Sequence, residues 1–160
     1  MSGLSGIQFA LPEAVELLEK VSQTPTSGDG NPILLSSLDP ALPFGGGLDW
    51  GQSDSRGNPL KLIRSVSNHL VLVEGEIVMT GENFFQRLSV FKDLSQYTWQ
   101  LMVNRLREYL KMPYPIKPVN RIEIRQINKL PAAESPVAIH LLETGFEKDG
   151  TRLVLWLSAI

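Results

Sequence analysis

The spacing of apolar and polar residues predicts one long helix in the second half of the chain. Over residues 94–112, apolar side chains recur every three or four positions, which is the pattern of a helix with one buried face. The apolar positions are Trp99, Met102, Val103, Leu106, Tyr109 and Leu110. The polar positions on the opposite face are Gln96, Gln100, Asn104, Arg107 and Lys111. Prolines at positions 113 and 115 end the pattern, because proline cannot continue a helix.

Two shorter helices are predicted near the ends of the chain. Residues 11–23 have helical spacing, and Pro12 suits a first helical turn. The apolar positions of that helix are Leu11, Ala14, Val15, Leu18 and Val21. Near the C-terminus, Ser135 and Pro136 predict the N-cap and first residue of another helix, and Gly145 predicts its left-handed end. The buried positions predicted for this helix are Val137, Leu141 and Leu142.

Shorter apolar and alternating runs predict a series of strands. They are residues 33–35, 60–66, 69–73, 77–79, 83–91, 119–127 and 152–157. Glu74, Gly75 and Glu76 predict a tight hairpin turn between two of them. Consecutive strands joined in this way favour an α+β fold, with an antiparallel β-meander or a partly closed barrel and two or three packed helices.

Length and composition restrict the class of protein. A chain of 160 residues predicts a single domain, 1–160, with residues 1–8 flexible and residues 51–59 a mobile loop. The sequence contains no cysteine, which excludes a disulfide framework and a thiolate metal site. We see no signal peptide and no apolar run long enough to span a membrane. We therefore expect a cytoplasmic location, no membrane partner and no cofactor.

The charge is distributed unevenly although the net charge is only −2. Residues 1–93 contain 11 acidic and 6 basic side chains, whereas residues 94–160 contain 6 acidic and 9 basic ones. The basic excess is concentrated in residues 94–129, at Arg105, Arg107, Lys111, Lys117, Arg121, Arg125 and Lys129. Such a cluster predicts either a solvated charged face or a surface that attracts phosphate groups.

We find no familiar catalytic motif in the sequence. Gly45, Gly46 and Gly47 lack the following lysine of an ATP-binding loop, so they indicate a turn rather than a phosphate site. His69 and His140 stand apart and are interpreted as structural residues. The chain carries no motif of an ATPase motor, so we expect no ATP hydrolysis.

Asp39 and Trp50 each leave two interpretations open. Asp39 precedes Pro40, and its carboxylate is expected either to form an Asx-type turn or to stand at the surface as a functional acid. Trp50 follows a glycine-rich stretch and is expected either to pack in the core or to stack on a base. Trp99 belongs to the apolar stripe of the long helix and is interpreted as a core residue.

Four collinear motifs carry a resemblance to a known family. They are LSSLDPALPFGGGLDW at residues 35–50, HLVLVEG at 69–75, INKLP at 127–131 and SPVAIHLLETGF at 135–146. In order and spacing they resemble the C-terminal region of the large helicase-related (Lhr-type) superfamily 2 DNA helicases, across roughly residues 11–157. The chain departs from the family at residues 80–85, which read TGENFF where the family has a glycine-rich, basic turn.

The resemblance implies an accessory module that works beside a motor. It implies a non-catalytic, helicase-associated role in contact with the nucleic-acid backbone or with a motor or winged-helix partner, without DNA unwinding by this chain. The basic residues proposed for phosphate contact are Arg107, Lys111, Lys117, Arg121 and Arg125. Arg121 and Arg125 alternate with Glu123, so the three are expected on one strand face.

Two alternatives remain open at this stage. One is a structural or self-associating protein, a homo-oligomer that uses a surface left exposed without a motor. The other is a DNA glycosylase-like activity, in which Asp39 would be the catalytic acid at a flipped nucleotide.

Overall fold

The computed structural model describes residues 11–23, 30–42, 62–113 and 119–157. Several predictions from the sequence lie outside these residues. They concern the flexibility predicted for residues 1–8, the mobile loop predicted at 51–59, the glycines at 45–47, Trp50 and Lys117.

Three α-helices occur among the described residues. They are α1 (Pro12–Gln23), α2 (Gln96–Lys111) and α3 (Ala138–Glu143). The predictions for α1 and α2 are confirmed. Helix α2 begins after Ser95, whose side chain accepts the Thr98 backbone N–H and so satisfies a donor of the first turn. The six apolar residues predicted for its buried face are at most 4% exposed.

Helix α3 differs from its prediction at its start and on one face. Ser135 does not cap it, because the chain first makes a turn in which the Ser135 side chain accepts the Val137 N–H. The left-handed end at Gly145 is confirmed, with φ at 104°. Leu141 is fully buried as predicted, but Leu142 is 39% exposed and faces solvent.

The larger sheet contains the predicted meander. Its strands are β1 (Ile33–Ser36), β2 (His69–Val73), β3 (Glu76–Glu82), β4 (Arg87–Val90), β6 (Gln126–Ile127) and β7 (Leu130–Pro131), in the order β1-β2-β3-β4-β6-β7. Neighbours are antiparallel except for β4 and β6, which are parallel. The hairpin turn at Glu74 and Gly75 is confirmed, with both residues at positive φ.

The smaller sheet has the order β5-β9-β8 and is antiparallel throughout. Its strands are β5 (Arg121–Ile124), β8 (Glu147–Asp149) and β9 (Arg152–Trp156). The described strands therefore form two open sheets. The alternative prediction of a partly closed barrel is wrong for these residues. The α+β class and the meander are confirmed.

Three predicted strands are corrected. Residues 62–66 form no strand, because side-chain hydrogen bonds replace strand pairing there: Ser37 Oγ bonds to both the N–H and the carbonyl of Ser65. Residues 83–86 form a turn, so only Arg87–Val90 of the predicted strand is extended. The predicted strand 119–127 divides at Arg125, since the Gln86 carbonyl accepts the backbone N–H of both Arg125 and Gln126.

The core lies between helix α2 and the two sheets. Apolar residues from α2, from both sheets and from α3 form one cluster, in which Trp99, Phe85 and Leu141 are at most 1% exposed. Removing this much apolar surface from water is the main stabilising contribution to the fold. Helix α1 contrasts with α2, because its Leu17 and Leu18 are more than half exposed.

A buried aromatic group in this core predicts pH-dependent stability. The His69 ring stacks on Phe85 at 4.8 Å and meets Tyr109 edge-on at 5.1 Å, and its Nδ1 has no hydrogen-bond partner among the described residues. Burial lowers the pKa of His69, while a hydrogen bond to the Ser67 backbone opposes the shift. The folded protein therefore holds His69 neutral at pH values where the unfolded chain binds a proton.

We expect the free energy of unfolding to fall as the pH is lowered through the unfolded histidine value of about 6.5, by at most about 1.4 kcal/mol per pH unit. His69→Phe keeps an aromatic ring and removes the titrating group, so its stability should depend less on pH than that of the wild type between about pH 5.5 and pH 7. Urea unfolding across this range measures the effect, with His140→Gln as the matched control. An equal pH dependence in His69→Phe and the wild type would contradict the assignment.

Candidate functional site

The outer face of the smaller sheet collects the charged residues of β5. Alternation along the strand places Arg121 and Glu123 on one face and Ile122 and Ile124, both fully buried, on the other. Arg125 follows directly and also bonds to Glu123. The prediction that the three residues share one strand face is therefore confirmed for Arg121 and Glu123, whereas Arg125 lies just beyond the end of β5.

The register between β5 and β9 brings two further residues to this face. Arg121 lies directly opposite Trp156, and its guanidinium carbon is 4.9 Å from the centroid of the indole ring. Glu123 lies opposite Val154, so the long side chain of Arg152, two residues before Val154, reaches the Glu123 carboxylate. The face thus contains Arg121 from β5 and Arg152 and Trp156 from β9, with Arg125 directly after β5.

Glu123 is the centre of the charged cluster. Its Oε1 accepts hydrogen bonds from Arg152 Nη1 at 2.9 Å and Arg125 Nε at 3.0 Å, and its Oε2 accepts from Arg121 Nη2 at 3.1 Å. The side chain is only 12% exposed. The bond from Arg152 lowers the pKa of Glu123 most, burial opposes it, and Arg125 and Arg121 lower it further. Glu123 therefore stays ionised near neutral pH and serves as a fixed anchor for the guanidinium groups.

The guanidinium groups keep much of their surface open to solvent. The Arg121 side chain is 48% exposed and that of Arg125 is 55% exposed, although each is held by Glu123. A guanidinium carries five N–H donors, and the bonds to Glu123 use only part of them. Arg152 is more fully engaged, since Asp149 binds it at 3.2 Å, and the bond to Glu123 raises its pKa.

An open groove of about 720 Å³ runs beside this cluster. We call it the aromatic groove, and its polar and aromatic lining comprises Phe84, Gln86, Asn120, Arg121, Glu123 and Trp156. Its volume lies in the range of ligand sites. The groove combines flat aromatic surfaces with carboxamide and guanidinium groups, so it can accept a planar polar ligand.

A second groove of about 400 Å³ adjoins the first, because Gln86 lines both. We call it the arginine groove, and its lining includes Asn83, Gln86, Arg87, Arg125 and Gln126. The described residues that line it include no carboxylate, although Glu82 binds Arg87 from outside at 2.9 Å. The lining of the aromatic groove thus supplies Phe84, Trp156 and Arg121, and that of the arginine groove supplies Arg87 and Arg125.

A strained turn positions Phe84 in the aromatic groove. Asn83, Phe84 and Phe85 have φ of 50°, 53° and 68°, a left-handed conformation that costs about 1–2 kcal/mol per residue. Two bonds from the turn to the 67–68 segment hold it: Phe84 N–H to Ser67 O at 2.7 Å, and Asn83 N–H to Asn68 Oδ1 at 3.1 Å. Phe85 is fully buried below, so Phe84 is left half-buried at the surface.

The other basic residues predicted from the sequence lie elsewhere. Arg107 joins α2 to the end of α3, where it donates to the Thr144 carbonyl at 2.7 Å. Lys111 is exposed at the last residue of α2 and lines neither groove. Lys117 lies outside the described residues. Of the five predicted residues, the structure brings together Arg121 and Arg125.

Asp39 occupies a tight turn away from both grooves' linings. Its Oδ1 accepts the Ala41 N–H at 2.8 Å, which is the Asx-type turn considered from the sequence. Its backbone carbonyl accepts the Leu42 N–H at 3.0 Å. The carboxylate thus helps to shape its own loop.

Sequence reasoning missed Phe84, Arg87, Arg152 and Trp156 as site residues. Arg152 and Trp156 alternate with Val154 along β9, and this spacing is the signal that places them on one face. Phe84 gave no such signal, since a Phe-Phe pair is typical of a strand and not of a left-handed turn.

The part of the chain that the structure describes shows neither a metal cluster nor a membrane span. No group of three or more His, Asp or Glu side chains within it is arranged to hold a metal ion. None of its helices combines the length and apolar character needed to cross a bilayer. Comparisons with protein-family models, with curated proteins and with solved structures found no match to this chain.

Proposed function

We propose that this chain is a non-catalytic module that binds the backbone of nucleic acid through Arg121 and Arg125. The observation that carries the proposal is the continuous surface of the two grooves, where these half-exposed arginines stand on one anchoring carboxylate. Guanidinium groups bind phosphate through paired N–H donors, and a fixed orientation lowers the entropy cost of that contact.

The chemistry of the grooves supports binding rather than catalysis. Among the described residues that line the aromatic groove, Glu123 is the one carboxylate, and it accepts bonds from three arginines, which lower its pKa. A general acid or base needs a pKa near the working pH, and Glu123 is shifted away from it. Electrostatic contact with a bound ligand is the role that this arrangement favours.

The resemblance to the C-terminal region of Lhr-type helicases suggests where such a module would act. We propose that it guides a nucleic-acid strand beside a motor or a winged-helix partner. The net charge of −2 agrees with a local contact surface and not with a chain that coats nucleic acid along its length. Self-association and a glycosylase-like activity of Asp39 stay predictions of the sequence.

Binding of a fluorescently labelled single-stranded oligonucleotide, followed by anisotropy at rising salt, tests the proposal. Each phosphate contact contributes about −0.7 to the slope of log K against log salt concentration. Two to four arginine contacts therefore predict a slope between about −1.4 and −2.8. Absence of binding to single-stranded and duplex oligonucleotides at the lowest salt would overturn it.

A further inference from the structure

We infer that the aromatic groove receives one unstacked nucleobase, next to the phosphates held at Arg121 and Arg125. The inference rests on the proposed function, because it names the part of the nucleic acid that enters the groove. It has a separate physical basis, namely the aromatic and carboxamide groups that a backbone contact alone would not need.

Trp156 and Arg121 form a layered surface in the groove. The guanidinium carbon of Arg121 lies 4.9 Å from the indole centroid, and both residues line the groove while remaining partly exposed. Unstacked bases commonly stack on aromatic rings and on arginine planes. A base that stacks on Arg121 or Trp156 would therefore extend the stack that these two side chains already form.

Phe84 supplies a second aromatic group, and the structure displays it at the cost of strain. Three consecutive residues are left-handed so that Phe85 enters the core while the Phe84 ring stays in the groove. Strain of this kind is concentrated at functional sites, where it holds a side chain in position before the ligand arrives. Packing in the core accounts for the left-handed conformation of Phe85. Contact with a ligand would account for that of Phe84.

Gln86 and Asn120 give the groove the polar groups that a base edge requires. Each carboxamide offers both donors and an acceptor, which match the mixed donor and acceptor edges of nucleobases. An aliphatic peptide side chain would leave these groups without partners. The combination of stacking surface, carboxamides and neighbouring arginines thus favours a nucleotide over an apolar anchor.

Two oligonucleotides of equal length and charge separate base contact from phosphate contact. One carries ordinary bases, and the other replaces them with abasic sugars. We expect the wild type to bind the base-containing strand about 5- to 150-fold more tightly, as stacking of one base at about 1–3 kcal/mol predicts. Equal affinity for both strands would overturn the base site and leave the proposed function standing, whereas binding of neither strand would overturn both.

Variants of the aromatic groove test whether the difference in affinity between the two strands arises there. Phe84→Ala and Trp156→Leu should each reduce the affinity ratio between the two strands toward one. Tyr97→Leu is the matched control, since Tyr97 is an aromatic residue on α2 that is 62% exposed and lines neither groove. Its ratio should equal that of the wild type, and an equal loss in this control would overturn the assignment to Phe84 and Trp156.

Discussion

Replacing Phe85 with alanine is expected to lower the free energy of unfolding by about 3–5 kcal/mol. Phe85 is fully buried, stacks on His69 at 4.8 Å and meets Tyr109 edge-on at 5.5 Å. The loss includes the transfer energy of the ring and the cavity that remains beneath the turn. Because domains have a total stability of about 5–15 kcal/mol, this loss is a large fraction of the stability of the fold.

The size of this effect is measured by urea unfolding, with Phe85→Leu as the matched variant. Leucine keeps most of the buried volume, so we expect a loss of roughly 1–2 kcal/mol. Phe85→Ala should also free the left-handed turn, and Phe84 would then lose its fixed position. A loss below about 1 kcal/mol in Phe85→Ala would show that this ring does not support the turn.

Removing two arginine charges from the grooves is expected to weaken oligonucleotide binding about 100-fold at low salt. The change is Arg121→Gln with Arg125→Gln, which keeps side chains of similar length and removes both guanidinium groups. Hydrogen bonds to charged groups contribute about 1.5–3 kcal/mol each, so each arginine accounts for about tenfold or more. Arg152 remains to pair with Glu123, so the folded state should persist.

A matched pair of lysines tests whether net charge alone explains the loss. Lys129 and Lys148 are exposed and line neither groove, so Lys129→Gln with Lys148→Gln removes the same charge elsewhere. At about 0.1 M salt, where the screening length is about 10 Å, we expect this variant to bind within about threefold of the wild type, because neither lysine lines a groove. An equal loss in the lysine variant would assign the binding to the overall charge instead of the grooves.

The sequence was sufficient where local pattern and tertiary packing agree. Helix α2 illustrates this agreement, since the spacing of Trp99, Met102 and Leu106 already defines the face that becomes buried. The hairpin at Glu74 and Gly75 is a second case, because glycine adopts positive φ without steric cost.

Prediction failed where distant contacts override local preference. Phe84 and Phe85 belong to a strand by residue type, yet the burial of Phe85 and two bonds to the 67–68 segment force a left-handed turn. Arg125 continues the alternation of β5, but the Gln86 carbonyl draws its backbone toward the larger sheet. Neither partner is near in sequence, so no local pattern contains this information.

The candidate site was predicted in part for the same reason. Arg121, Glu123 and Arg125 share one short stretch, so their common face follows from alternation. Arg152 and Trp156 join them only through the pairing of β5 with β9, which places Arg121 opposite Trp156. Arg107 was expected at the same surface, but the packing of α3 against α2 uses it to bind the Thr144 carbonyl.

The central claim is that Arg121 and Arg125 contact phosphate groups. The most direct test is the salt dependence of oligonucleotide affinity, measured side by side for the wild type, the double arginine variant and the double lysine variant. Loss of two contacts to a single strand predicts a slope about 1.4 less negative in the arginine variant and no change in the lysine variant. Equal slopes for the wild type and the arginine variant would contradict the claim.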